Sequence, residues 1–99
     1  MNIHIINIKY TASNDDIANI RPAHREFLDI GYSNGILLAS GPKEDKTGGI
    51  ILATGDIDKV KAFLANDPFQ KNNVAEYSFS SFDAIKHAKE LSVFGTEVI

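Results

Sequence analysis

Ile36-Leu37-Leu38-Ala39-Ser40-Gly41-Pro42-Lys43-Glu44-Asp45-Lys46-Thr47-Gly48-Gly49-Ile50-Ile51-Leu52-Ala53-Thr54 is the stretch on which the topology turns. Residues 36–41 are apolar and end in Gly41-Pro42. The next five are polar and are followed by Gly48-Gly49, and residues 50–54 are apolar and β-branched again. Two short apolar runs separated by turn-forming residues read as antiparallel strands joined in a hairpin.

Helices flank this hairpin on both sides. Upstream, Pro22 suits the first turn of a helix, where its missing N–H has no partner to lose, and Gly35 suits the residue just past the end. The spacing predicts a helix from about Pro22 to Asn34, with Ile20, Ala23, Phe27, Leu28 and Gly31 on one side and Arg25, Glu26 and Asp29 on the other. Ahead of it, Ser13 and Asp15 are candidate caps for a separate short helical turn ending near Ile20. Downstream, Asp56 can cap a second helix whose buried stripe is Ile57, Val60, Phe63 and Leu64. Pro68 disfavours helical geometry at Asp67 and ends it.

One strand lies outside each helix. Residues 3–10 are rich in isoleucine on both alternating faces, as in a strand covered on two sides, and residues 75–82 place Ala75, Tyr77 and Phe79 on one face. The order is then β-α-β-β-α-β, an α+β, ferredoxin-like arrangement with helices on one face of an antiparallel sheet. From Asp83 onward Ala84, Ile85, Ala88 and Leu91 are helix-spaced, which predicts an extra C-terminal element. The pattern does not place the apolar tail from Val93-Phe94 to Val98-Ile99.

Ninety-nine residues suit one domain, here residues 1–99, and a single small core gains from pairing its open sheet face with a second copy, so a homodimer or higher homo-oligomer is expected. Ten Lys and Arg against thirteen Asp and Glu, scattered along the chain, argue against a nucleic-acid partner. The absence of cysteine excludes disulfides, thiolate catalysis and Cys-based metal sites. The opening Met1-Asn2-Ile3-His4-Ile5-Ile6 has no basic flank, and no apolar run approaches the roughly 20 residues of a membrane span. The expected protein is soluble and cytoplasmic, with no membrane partner.

Three histidines are available, and His24 is the informative one. It falls on the apolar face of the first helix, four residues after Ile20 and four before Leu28. An imidazole there is either a core residue satisfied by one hydrogen bond or a base that titrates near neutrality in a pocket. A carboxylate would fix its tautomer and stabilise the imidazolium. Asp67 is one candidate, though it also reads simply as the residue closing helix two. Asp29 and Asp45 compete, with Asp29 disfavoured by its place on the polar side.

Arg21, before Pro22 at a helix N-terminus, can hold an anionic group with the free N–H groups there, or be a solvated surface cation. Ser40, just before the turn, can project a hydrogen bond into the same cavity. The glycines fit neither dinucleotide nor Walker spacing. His4 and His87 lie at no metal-ligand spacing from His24, so no metal and no cofactor are expected.

Taken together, Arg21-Pro22-Ala23-His24 with Phe27-Leu28, then residues 35–42, Gly48-Gly49 and Asp67-Pro68-Phe69, resemble the signature blocks of the YciI-like, or YCII-related, family. The resemblance runs from the first strand through Phe82. It implies a dimeric α+β barrel akin to muconolactone isomerases and small cofactor-independent monooxygenases. It also implies a His–Asp pair in a cavity, which maps onto His24 and Asp67. Some relatives resemble dehydrochlorinases acting on chlorinated hydroxyquinols. Family members usually finish soon after the last strand, whereas here about sixteen residues follow Asp83, which puts transfer of a substrate class in doubt.

Three functions follow as expectations. The first is a lyase or isomerase in which His24, oriented by Asp67, moves a proton on a small aromatic, quinone-like or enolisable substrate, with Arg21 and Ser40 binding it. The second is a non-catalytic dimeric module that binds a small molecule in the same cavity. In the third the chain is a structural partner domain and His24 is merely buried.

Overall fold

The computed structural model describes residues 1–93. Four strands, β1 (Asn2–Tyr10), β2 (Leu37–Pro42), β3 (Gly48–Thr54) and β4 (Ala75–Asp83), form one sheet in the order β2-β3-β1-β4. Every pairing is antiparallel. The helices are α1 (Asn14–Ser33), α2 (Ile57–Leu64) and the short α3 (Pro68–Lys71). This is the α+β, ferredoxin-like architecture that the strand and helix order implies.

Isoleucine-rich β1 takes a central position because its backbone pairs on both edges. Ile6 lies opposite Ile51 of β3 and Phe79 of β4, and Ile8 lies opposite Gly49 and Tyr77. Cross-strand partners share a face. Ile6, Ile8, Ile51 and Ala53 therefore build one buried sheet surface, and Ile17 and Leu28 of α1, Val60 and Leu64 of α2 and Phe69 of α3 pack on it. The other face carries Ile5, Ile50 and Leu52, half-covered by their neighbours, and Phe82, which is exposed.

One close approach needs a glycine. A Cβ on Gly48 would stand 1.7 Å from the Ile8 carbonyl oxygen, so β3 can begin against β1 only without a side chain there.

Two expectations about elements are corrected. The short turn and the long helix predicted on either side of Ile20 are one continuous helix, α1, capped by the Ser13 hydroxyl, which accepts from the Asp16 N–H at 3.2 Å. Pro22 lies inside it and forfeits the bond to the Ala18 carbonyl. Ala18 and Pro22 are both exposed, so water can serve that carbonyl. Meanwhile Ile17, His24, Leu28 and Gly31, at spacings of seven, four and three, bury one unbroken stripe that holds both halves to the sheet. Ala23, expected on that stripe, faces solvent.

The second correction concerns the C-terminal segment. The helix-spaced residues after Asp83 form no helix through residue 88; a 3₁₀ turn covers Lys89–Val93. Ala84 is buried, its N–H bonded to the Met1 carbonyl at 2.7 Å, but Ile85 is 83% exposed. An apolar stripe with nothing beneath it has no tertiary reason to coil. The tail residues 94–99 lie outside the described residues.

Candidate active site

Asp67 is the most deeply buried charged side chain of the described residues, with no exposed surface. It caps α3: Oδ1 accepts the Phe69 N–H at 3.0 Å. A buried carboxylate is tolerable only when donors surround it. Here they are the Phe69 N–H, the Tyr77 hydroxyl of β4, which donates to Oδ2, and Nδ1 of His24, 2.8 Å from Oδ1 and 2.9 Å from Oδ2. The connection between α2 and α3 thus does two things with one residue: it starts a helix and aims a carboxylate at α1.

His24 reaches that carboxylate from the buried stripe of α1. Its ring stacks on Phe69 with centroids 3.9 Å apart and planes 12° from parallel, and Tyr10 meets Phe69 edge-on at 5.8 Å. An ionised carboxylate accepts only, so Nδ1 carries the hydrogen and neutral His24 keeps its lone pair on Nε2. Among the described residues nothing bonds Nε2. Burial, and then the Asp67 charge, push the Tyr77 phenol well above its usual range, so it stays a neutral donor.

The ring forms part of the wall of a cleft of about 470 Å³. Arg21, Arg25 and Leu28 of α1 line one side, Ile8 and Tyr10 of β1 form the floor, and the β2–β3 hairpin contributes Ser40, Lys46 and Ile51. Arg21 and Ser40 both line this cleft, though Arg21 does so by a route other than the expected helix start. Because α1 begins at Asn14, Arg21 sits in the helix body and brings its guanidinium without the free N–H groups of a helix start. The Ser40 hydroxyl is 2.6 Å from the Tyr32 hydroxyl.

Arg25, assigned to the polar side, also lines the cleft, because its long side chain follows the helix flank beside His24. Tyr77 went unrecognised as a site residue. Its place on the core-facing side of β4 was readable, but its aim at Asp67 required the packing of α3.

The competing carboxylates are elsewhere. Asp29 is exposed, and Asp45 accepts from the Thr47 hydroxyl at 2.7 Å and the Thr47 N–H at 3.0 Å, bonds that hold its carboxyl below the usual range. His4 is a core histidine: its Nε2 donates to the Gly55 carbonyl at 2.6 Å and its Nδ1 accepts from Ser81 at 2.7 Å. Among the described residues no cluster of His, Asp and Glu could hold a metal ion, and no helix is long and apolar enough to cross a membrane.

A ferredoxin-like α+β domain with a histidine–carboxylate pair behind a cleft defines the class. The chain belongs to the family of the YCII-related domain, whose model matches residues 1–83. The segment beyond Asp83 thus lies outside the family domain. Among solved structures, the chain resembles a 5-chloro-2-hydroxyhydroquinone dehydrochlorinase from Burkholderia phenoliruptrix AC1100 in complex with 2,5-dihydroxybenzoquinone. The TM-score is 0.67 at 22% identity, covering 91% of this chain and 98% of that one, a likeness of fold. No curated protein sequence matches significantly.

Proposed function

We propose that this protein is a cofactor-independent enzyme of the lyase or isomerase type, in which His24 moves a proton on a small aromatic, quinone-like or enolisable substrate. The observation that carries the reading is the asymmetry of the imidazole: Nδ1 is held by a fully buried carboxylate, while Nε2 has no partner among the described residues and its ring lines the cleft. That is the arrangement a general base needs. The structural likeness to a dehydrochlorinase supports the same class.

In the proposed step, Nε2 takes a proton from an acidic C–H or O–H group of the substrate. The bonding pair moves into the conjugated system and charge collects on a substrate oxygen, which the Arg21 guanidinium stabilises. The imidazolium is stabilised by Asp67, whose own charge is supported by Tyr77 and the Phe69 N–H. Expulsion of a leaving group with that pair gives a lyase. Return of the proton to another atom gives an isomerase. Ser40 supplies a hydrogen bond to the substrate.

In this reading the protein works in the cytoplasm as a homodimer. The half-covered isoleucine and leucine side chains of the outer sheet face support the pairing, and a cysteine-free sequence fits the compartment.

The test is turnover of a panel of substituted hydroquinones and lactones by wild type, His24→Ala and Asp67→Asn, with folding checked by circular dichroism. Loss of turnover by a factor of about 100 or more in both folded variants is expected. Equal turnover in all three proteins would reject the proton-transfer role. Ligand-dependent thermal stabilisation without product from any compound would favour the binding module instead.

A further inference from the structure

The cleft is electrically one-sided. The chain carries more acidic than basic residues, thirteen against ten, yet Arg21, Arg25 and Lys46 all line this cleft and no Asp or Glu does. Among the described residues none of the three is in an ion pair. Arg21 and Arg25 are four residues apart on α1, a spacing at which like charges repel; Asp29 follows one turn beyond Arg25, yet among the described residues no carboxylate comes within ion-pair distance of either arginine. Lys46 stands at φ 64°, a left-handed conformation that glycine or asparagine would adopt more easily. Its N–H closes the hairpin turn onto the Lys43 carbonyl at 3.0 Å. The fold therefore keeps a cation at a position where its own stability would favour another residue, and that cation lines the cleft.

The cations come from two elements. The guanidiniums belong to the α1 wall, on residues whose Cα atoms are about 6 Å apart along the helix axis, and the ammonium belongs to the β2–β3 turn. The same cleft is lined by the apolar side chains of Ile8, Leu28, Ile51 and Phe69 and by the polar Tyr10, His24 and Ser40. We infer that the ligand of this cleft is a small unsaturated carbon framework bearing two separate anionic groups, such as a dicarboxylate or a carboxylated phenolate. Arg21 and Arg25 grip one group and Lys46 the other.

The inference rests on the cleft being the ligand site, as proposed above, but not on any proton transfer. Two guanidiniums suffice to hold one anionic group, so the Lys46 cation, supplied by a second element, is left for a second group on the ligand. Arg25 and Lys46 become specificity-determining residues that favour dianions over monoanions.

Isothermal titration of wild type with benzene-1,3-dicarboxylate, benzoate, phenyl phosphate and hydroquinone tests this without turnover. The dicarboxylate is expected to bind at least about ten-fold more tightly than benzoate, the size of one charge-assisted hydrogen bond. The margin should shrink as salt is raised. Lys46→Asn, which suits the same backbone, should abolish the margin while leaving hydroquinone binding unchanged, and Arg25→Gln should weaken both carboxylates. Lys46→Gly should raise the midpoint of thermal unfolding while losing the same affinity.

Equal affinities for the dicarboxylate and benzoate, no dicarboxylate binding at millimolar concentration, or an unaltered margin in Lys46→Asn would overturn the inference. Tighter binding of phenyl phosphate than of the dicarboxylate would overturn the two-group arrangement. Failure of the turnover experiment leaves these binding results standing, so the two readings fail separately.

Discussion

At the scale of single residues, the site is organised by the burial of one carboxylate. Asp67 is enclosed by three donors from three elements, and that enclosure fixes Nδ1 of His24 while, among the described residues, leaving Nε2 unbonded, the arrangement on which the proposed base role rests. Tyr77 is the donor whose effect is separable. Its hydroxyl is held neutral by burial and by the Asp67 charge, so its folded-state pKa lies above the ordinary 10.0 of an unfolded tyrosine. A group raised in this way contributes stability that is fully present below the unfolded value and is lost as pH rises past it. Thermal unfolding followed between pH 8 and 11 should therefore fall more steeply near the top of that range for wild type than for Tyr77→Phe. Parallel curves for the two proteins would remove Tyr77 from the buried network.

At the scale of elements, α1 is the part that brings most of the charged and titratable side chains to the cleft. It carries His24, Arg21 and Arg25 together, and it does so because Pro22 fails to break it. The lost hydrogen bond lies on the solvent side, whereas the buried stripe runs past it on the other. Pro22→Ala restores the missing donor at an exposed position, and the expected gain is about 1–3 kcal/mol in urea unfolding, reduced by the greater freedom of the unfolded chain. A loss of stability would mean that the proline ring itself makes packing contacts that matter. A gain without change in turnover would show that α1 needs no kink to present His24.

At the scale of the whole molecule, the sheet has one face under helices and one that none of the described helices covers. Ile5 lies opposite Leu52 near the middle of the uncovered face, and Phe82 at its β4 side is 49% exposed. Wild type should run as a dimer in light-scattering chromatography, and Leu52→Lys should shift it toward monomer by placing an ammonium in the interface. A monomeric wild type at micromolar concentration would leave the outer face needing another account. Ile8, Ile51 and Leu28 place much of the cleft wall on the helical side, and Ile50 reaches it from the outer face, two residues before Leu52 on β3, so the monomeric variant should still bind ligand.

Much of the architecture was written in local pattern. The two apolar runs around Gly41-Pro42 and Gly48-Gly49, the Asp56 cap and the isoleucines of β1 fixed the strand and helix order, because alternation, caps and turn residues act over a few neighbours. The family resemblance added the pairing of His24 with Asp67, which spacing alone left open among three aspartates. Tertiary structure decided what depends on distant surfaces. It carried α1 through Pro22, because an unbroken buried stripe outweighs one solvent-side hydrogen bond, and it left Ile85 uncoiled, because nothing lies beneath it. It also brought Tyr77, Arg25 and Lys46 to the site. Their roles follow from the way three separate elements close around one carboxylate and one cleft, and no local pattern encodes that closure.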